Sequence, residues 1–144
     1  MIRVLIAAAA VTVGASTVIA QQDVIAARKA LMKATGGQTA AGSKMVKGET
    51  PFDLAKAKAV FTTYQDTAAK GPALFPPNSK EGGETTAAPK IWEAKADFEA
   101  KFAKLGADAK AAEAQVTDLD SFKAAFSGVT KNCGGCHNDY RIKK

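Results

Sequence analysis

The chain has 144 residues, 47% of them hydrophobic, with 20 lysines and arginines against 14 aspartates and glutamates, a formal charge of +6. That length builds one compact domain with a single core and excludes two ordinary ones. The lysines alternate with acidic residues instead of clustering, which describes a solvated surface and excludes nucleic acid as the expected partner.

The first twenty residues differ from the rest. Met1-Ile2-Arg3 is a basic start, Val4 to Val13 is almost wholly apolar, and Val18-Ile19-Ala20 ends in the small residue that export peptidases require. Residues 1–20 are therefore expected to be a cleaved signal peptide and 21–144 the mature domain, exported to the periplasm. The apolar run is shorter than the roughly 20 residues needed to span a bilayer, and no second such run follows, so no membrane span is expected after cleavage.

From Gln22 to about Val46 residues recur at helical spacing, with Ile25, Arg28, Met32 and Thr35 on one stripe and Val24 and Leu31 beside it. Lys47 to Phe52 breaks this first helix, and Asp53 is the expected N-cap of a second carrying Ala57, Val60, Phe61, Tyr64 and Ala68 on one face. Lys70 to Ala88 is rich in Gly, Pro, Ser and Thr without helical period and reads as a long connection pinned by Leu74 and Phe75. Pro89 suits the first turn of a third helix, on which Ile91, Lys95, Phe98, Phe102, Leu105 and Ala109 keep a 4-3-4-3-4 spacing through Gly106. After a turn near Thr117-Asp118, Phe122, Phe126, Val129, Cys133, Cys136 and Tyr140 repeat that spacing on a fourth helix. No alternating strand pattern occurs, so the fold class expected is all-α, an antiparallel four-helix bundle.

The chemistry sits in Cys133-Gly134-Gly135-Cys136-His137. Two cysteines three apart lie on one side of a helix, and both can reach the vinyl groups on one edge of a porphyrin to form thioethers. His137 follows directly, one turn beyond Cys133, where its imidazole can meet the iron as an axial ligand. Zinc would need four ligands, and the chain has no further cysteine or histidine to complete them. A redox dithiol belongs at a strand-to-helix junction, and no strand is expected. The cofactor expected is one haem c, covalently bound near the C-terminus.

His137 is the only histidine, which excludes a second imidazole and leaves methionine, lysine, water or an empty position opposite it. Met1 departs with the signal peptide, so the methionines are Met32 and Met45. In an up-down-up-down bundle the first helix starts where the fourth ends; Met32 is about 14 Å into that helix and Met45 about 20 Å further. Only Met32 is level with the haem. Gly36 and Gly37 follow it and remove bulk where a porphyrin must pass, and Arg28, one turn earlier, is a possible contact for a haem propionate. Alternatively, Met32 is a core residue filling the space above an unligated iron, and Arg28 reaches the surface.

Cys133 to Arg141, Ala27 to Lys33 and Lys90-Ile91-Trp92 together resemble the class II c-type cytochromes, whose haem is attached near the C-terminus of a four-helix bundle; the likeness spans most of the mature chain. The class has two branches. Resemblance to the low-spin branch, cytochrome c-556, implies His137 and Met32 as axial ligands and one-electron transfer as the task, with no enzyme activity. Resemblance to cytochrome c′ implies a five-coordinate, high-spin iron open to nitric oxide or carbon monoxide. Leu31-Met32-Lys33, Gly36, Lys47-Gly48-Glu49 and Pro51 look closer to the low-spin group. The expected partners are redox proteins, steered to the haem edge by Lys131, Arg141, Lys143 and Lys144, and both monomer and homodimer fit. A peroxidase is a weaker reading, since no distal histidine is available.

Overall fold

The computed structural model describes the backbone of residues 13–143 and the side chains from Asp23 to Lys143. Residues 1–12, the side chains of the rest of the expected signal peptide with its cleavage point after Ala20, and Lys144 lie outside the described residues. Five helices follow in order: α1 (Val13–Lys47), α2 (Leu54–Lys70), α3 (Lys90–Glu93), α4 (Lys95–Gln115) and α5 (Leu119–Tyr140). Among the described residues there is no strand, only one isolated antiparallel bridge between Ala87 and Arg141.

Local chemistry sets the ends. Gly48, at φ +75, supplies the left-handed residue that stops α1, and its N–H donates to the Met45 carbonyl. The Asp53 carboxylate accepts from the Lys56 N–H at the start of α2. Asp118 caps α5 in a reciprocal capping box, its carboxylate accepting from the Ser121 N–H while the Ser121 hydroxyl accepts from the Asp118 N–H.

Paired contacts show α1 antiparallel to α2, α4 to α5, and α2 to α4. Thr35 meets Thr67 and Thr39 meets Tyr64 between α1 and α2. Thr62 of α2 donates to Glu113 of α4, and Gly106 of α4 lies against Ala68 of α2, where an added Cβ would come within 3.0 Å of the alanine methyl. Asn132 donates to Asp108 and Tyr140 to Asp97 between α5 and α4. Gly42 of α1 lies under the Phe126 ring of α5. The order round the bundle is thus α1, α2, α4, α5, with α3 an offset first turn of α4.

The core divides in two. Met45, Val60, Phe61, Tyr64, Phe122 and Phe126 belong to the larger cluster. Phe75, Ile91, Phe98, Phe102 and Tyr140 form a second, aromatic cluster at the other end, with Met32 and Cys136 packed against it.

Two expectations need correction. The first helix is already formed at Val13, the first residue described, and not only from Gln22, with no proline among the intervening residues to interrupt it. The single third helix is broken at Ala94, where φ −123 and ψ 50 leave the helical region. The offset lets Trp92 donate to the Pro76 carbonyl and Lys95 to those of Pro72 and Phe75. These side-chain bonds to the 71–89 connection compensate for the interrupted helical ladder.

Candidate functional site

Between α1, α4, α5 and the connection lies a cavity of about 1170 Å³ that brings together Arg28, Met32, Cys133, Cys136 and His137. All five candidate site residues therefore line one space. Met45, the other methionine of the described residues, is 3% exposed in the opposite core cluster. Gly36 also lines the cavity, and a Cβ added to it would touch nothing within 4 Å.

Cys133 and Cys136 are not joined to each other, and both are half-buried. Burial pushes both thiols up from their ordinary pKa. That is the reverse of a redox-active dithiol, whose attacking cysteine is held as a thiolate. His137 is exposed and lines both the cavity and the adjoining hollow it shares with Arg141, and desolvation, followed by the charge of Arg141, lowers its pKa. Its neutral form, the one that ligates metal, is favoured. Among the described residues no group of three or more His, Cys, Asp or Glu side chains could hold a metal ion by itself.

The donor set fits a haem. Two neutral thiols on one edge, a neutral imidazole one turn on and a thioether in the same largely apolar cavity are a haem c inventory, and the cavity is at the large end for ligand sites.

Arg28 is 4% exposed, and so does not reach the surface. Its Nη1 donates to Ser79 Oγ (3.1 Å) and the Leu74 carbonyl (3.4 Å), and its Nη2 to the Ser79 carbonyl (2.9 Å) and Thr85 Oγ1 (2.7 Å). The guanidinium lies over the rings of Phe75 and Trp92. Both terminal nitrogens are committed to the connection.

Several site residues carry no mark in a linear reading. Thr85 and Thr86 line the cavity from a connection without helical period, and Lys101, from α4, borders it while pairing with Asp139 at 3.2 Å. Helical spacing does place Thr35 and Tyr140 on the inward stripes, which is the signal that finds them.

Known proteins resemble this one along its whole length. The model of the cytochrome c′ family matches residues 23–141. A cytochrome c′ of Rhodopseudomonas palustris is 46% identical over 99% of the chain and 98% of its own length, and a cytochrome c-556 of the same organism is 34% identical over 100% and 99%. The solved structure of cytochrome c′ from Rhodopseudomonas palustris superposes with a TM-score of 0.82 at 49% identity, covering 85% of this chain and 98% of that one. A cytochrome of this kind carries covalently attached haem c. With its attachment motif, bundle and cavity, the chain belongs to the cytochrome c′ family.

Proposed function

We propose that the protein is a periplasmic low-spin monohaem cytochrome that carries one electron at a time, with Cys133 and Cys136 as the haem thioethers and His137 and Met32 as the axial ligands. The observation that carries this reading is that Met32 lines the same cavity as Cys133, Cys136 and His137, while Met45 lies in the other core cluster. When bound, the haem iron supplies the one-electron couple.

The chain's own residues do the rest. Met32 offers a neutral thioether, which opposite imidazole favours the reduced state relative to a second imidazole. The Met32 thioether carries no proton, so its ligation would not itself couple electron transfer to proton uptake. Phe75, Phe98, Phe102 and Tyr140 line the cavity and make that wall largely apolar. Arg28, its terminal nitrogens bonded to the connection, favours a haem propionate nearby by its buried charge alone.

Residues 1–20 direct export and are removed, leaving 21–144 as the working domain. Among the described residues no helix is long and apolar enough to cross a membrane. Arg141 and Lys143 are exposed beside the cavity mouth with His137, and with Lys131 and Lys144 they steer an acidic redox partner in a salt-sensitive encounter. The chain acts as a carrier and not as an enzyme, in monomeric or dimeric form.

The higher identity to a cytochrome c′ than to a cytochrome c-556 favours a second reading, a high-spin protein that binds nitric oxide or carbon monoxide. Absorption spectra of the oxidised and reduced protein, with and without carbon monoxide, separate the two. The carrier reading expects a low-spin spectrum indifferent to carbon monoxide, converted to high spin by Met32→Ala with the haem still attached. A high-spin ferrous spectrum that shifts readily with carbon monoxide in the unaltered protein would overturn it.

A further inference from the structure

Among the described residues no hydrogen bond or ion pair joins α1 to α5, the helices proposed to carry the two axial ligands. Their close contact is between Gly42 and Phe126, where an added Cβ on Gly42 would be 2.6 Å from the ring. Gly42 is ten residues beyond Met32, about 15 Å along α1. Around Met32 and His137 the two helices face each other across the cavity.

What joins them there is the 71–89 connection. On the α1 side Arg28 gathers both of its limbs, bonding Leu74 and Ser79 on one and Thr85 on the other. Lys29 donates to the Gly83 carbonyl, and Gly83 sits so close to Ile25 that an added Cβ would come within 2.8 Å of it. Gly83 and Glu84 both have positive φ, +54 and +53, a bend that Glu84 adopts at a cost. On the α5 side the Ala88 N–H donates to the Tyr140 carbonyl and the Ile142 N–H to the Thr86 carbonyl.

A continuous route of hydrogen bonds and short lengths of chain results. It starts at Arg28, one turn before Met32, and passes through Thr85 Oγ1, which also accepts from the Ala87 N–H at 3.1 Å. It crosses to Ile142 through Thr86 and reaches His137 through the Arg141 N–H, which donates to the His137 carbonyl. Thr85, Thr86 and Ala87 are at the same time cavity wall.

We infer that Arg28 is a positioning residue: by fastening the 71–89 strap to α1 it fixes the separation of Met32 and His137 and keeps the cavity closed to small exogenous ligands. The inference rests on the proposed ligation by Met32. Arg28 suits the task because one planar, fully buried group with several fixed donors holds two limbs of backbone at once. The acceptors named are neutral hydroxyls and carbonyls, so the geometry depends on their number and direction and not on one ion pair.

The test uses the full haem-loaded protein and its Arg28→Gln, Arg28→Lys and Thr85→Val variants, with carbon monoxide as the probe of the ferrous form and hydrogen exchange as the probe of the strap. Losing a buried charge-assisted anchor should raise carbon monoxide binding by about tenfold or more in Arg28→Gln, with a smaller rise in Thr85→Val. The amides of Ala88 and Ile142 should exchange faster in step, and Arg28→Lys should recover part of both effects. Thr85→Val removes two bonds at the strap, those that Thr85 Oγ1 accepts from Arg28 and from the Ala87 N–H, without emptying a core position, and decides the matter if Arg28→Gln fails to fold. A low-spin wild type whose folded variants remain closed to carbon monoxide overturns the inference alone, whether or not the amides exchange faster. A wild type that already binds carbon monoxide freely overturns Met32 ligation and the inference with it.

Discussion

Thr35 of α1 and Thr67 of α2 share a hydrogen bond of 2.7 Å, with both residues buried, three residues beyond Met32. Each hydroxyl also lies 2.8 Å from the carbonyl four residues before it, Leu31 for Thr35 and Thr63 for Thr67. Two protons thus serve three contacts, and one threonine must give up its own carbonyl to reach the other. Thr67→Val removes the link between helices but orphans nothing, because the Thr35 hydroxyl can still donate to Leu31. The expected loss in unfolding free energy is about 1 kcal/mol. Chemical denaturation measures it, and a loss several times larger would mean that the methyl group does not fit where the hydroxyl was.

Two helical glycines make opposite predictions. A Cβ on Gly42 would meet Phe126 Cε2 at 2.6 Å, while a Cβ on Gly128, in α5, would meet nothing within 4 Å. Replacing an open helical glycine by alanine stabilises by about 0.5–1 kcal/mol, so Gly128→Ala should raise the melting temperature. At Gly42 the same gain is opposed by an overpacking cost of about 1–3 kcal/mol, so Gly42→Ala should lower it. Equal shifts in the two variants would show that the Phe126 ring moves aside freely.

What the amino-acid sequence conveyed followed the range of the forces involved. The inward faces of the helices were legible because helical spacing is local, and Phe61, Tyr64, Phe98, Phe102, Phe122 and Phe126 are all buried where that spacing puts them. The convergence of Met32 on the attachment motif was legible too, since it needs only helix lengths and an antiparallel bundle. The break at Ala94 was not, because its cause is a set of carbonyls on another element, at Pro72, Phe75 and Pro76. Arg28 was visible as an odd residue on an apolar stripe, but its acceptors lie 46 to 57 positions away in a stretch without periodicity. The reciprocal capping box at Asp118 and Ser121 is local and escaped only because the third position holds serine in place of the usual glutamate or glutamine.

That capping box predicts an acid response. The Ser121 N–H, first, and then its hydroxyl hold the Asp118 carboxyl below its ordinary 3.8. A depressed folded pKa contributes stability that is present above the unfolded value and lost as pH falls through the folded one. Asp118→Asn keeps an acceptor for the Ser121 N–H but does not titrate. The variant should therefore lose less stability than the wild type as pH falls below about 4, the ordinary carboxyl range. Parallel acid curves for the two proteins would count against the cap as a source of pH dependence.

The alkaline limb rests on two tyrosines. Burial is the main cause that raises Tyr64 to about 12, with its hydroxyl 2.9 Å from that of Thr39. Tyr140 is raised to about 12 chiefly because its hydroxyl donates to the Asp97 carboxylate. Both groups ionise near 10 once unfolded. A raised folded pKa contributes stability that is complete below the unfolded value and lost as pH rises through the folded one, so the protein should weaken between pH 10 and about 12. Tyr64→Phe and Tyr140→Phe should each flatten that decline, because neither replacement can ionise on unfolding. Ultraviolet difference titration of the folded wild type checks the premise. Tyrosinate absorbance that rises fully near pH 10 without unfolding would show that neither hydroxyl is held as the burial of Tyr64 and the Tyr140–Asp97 bond require.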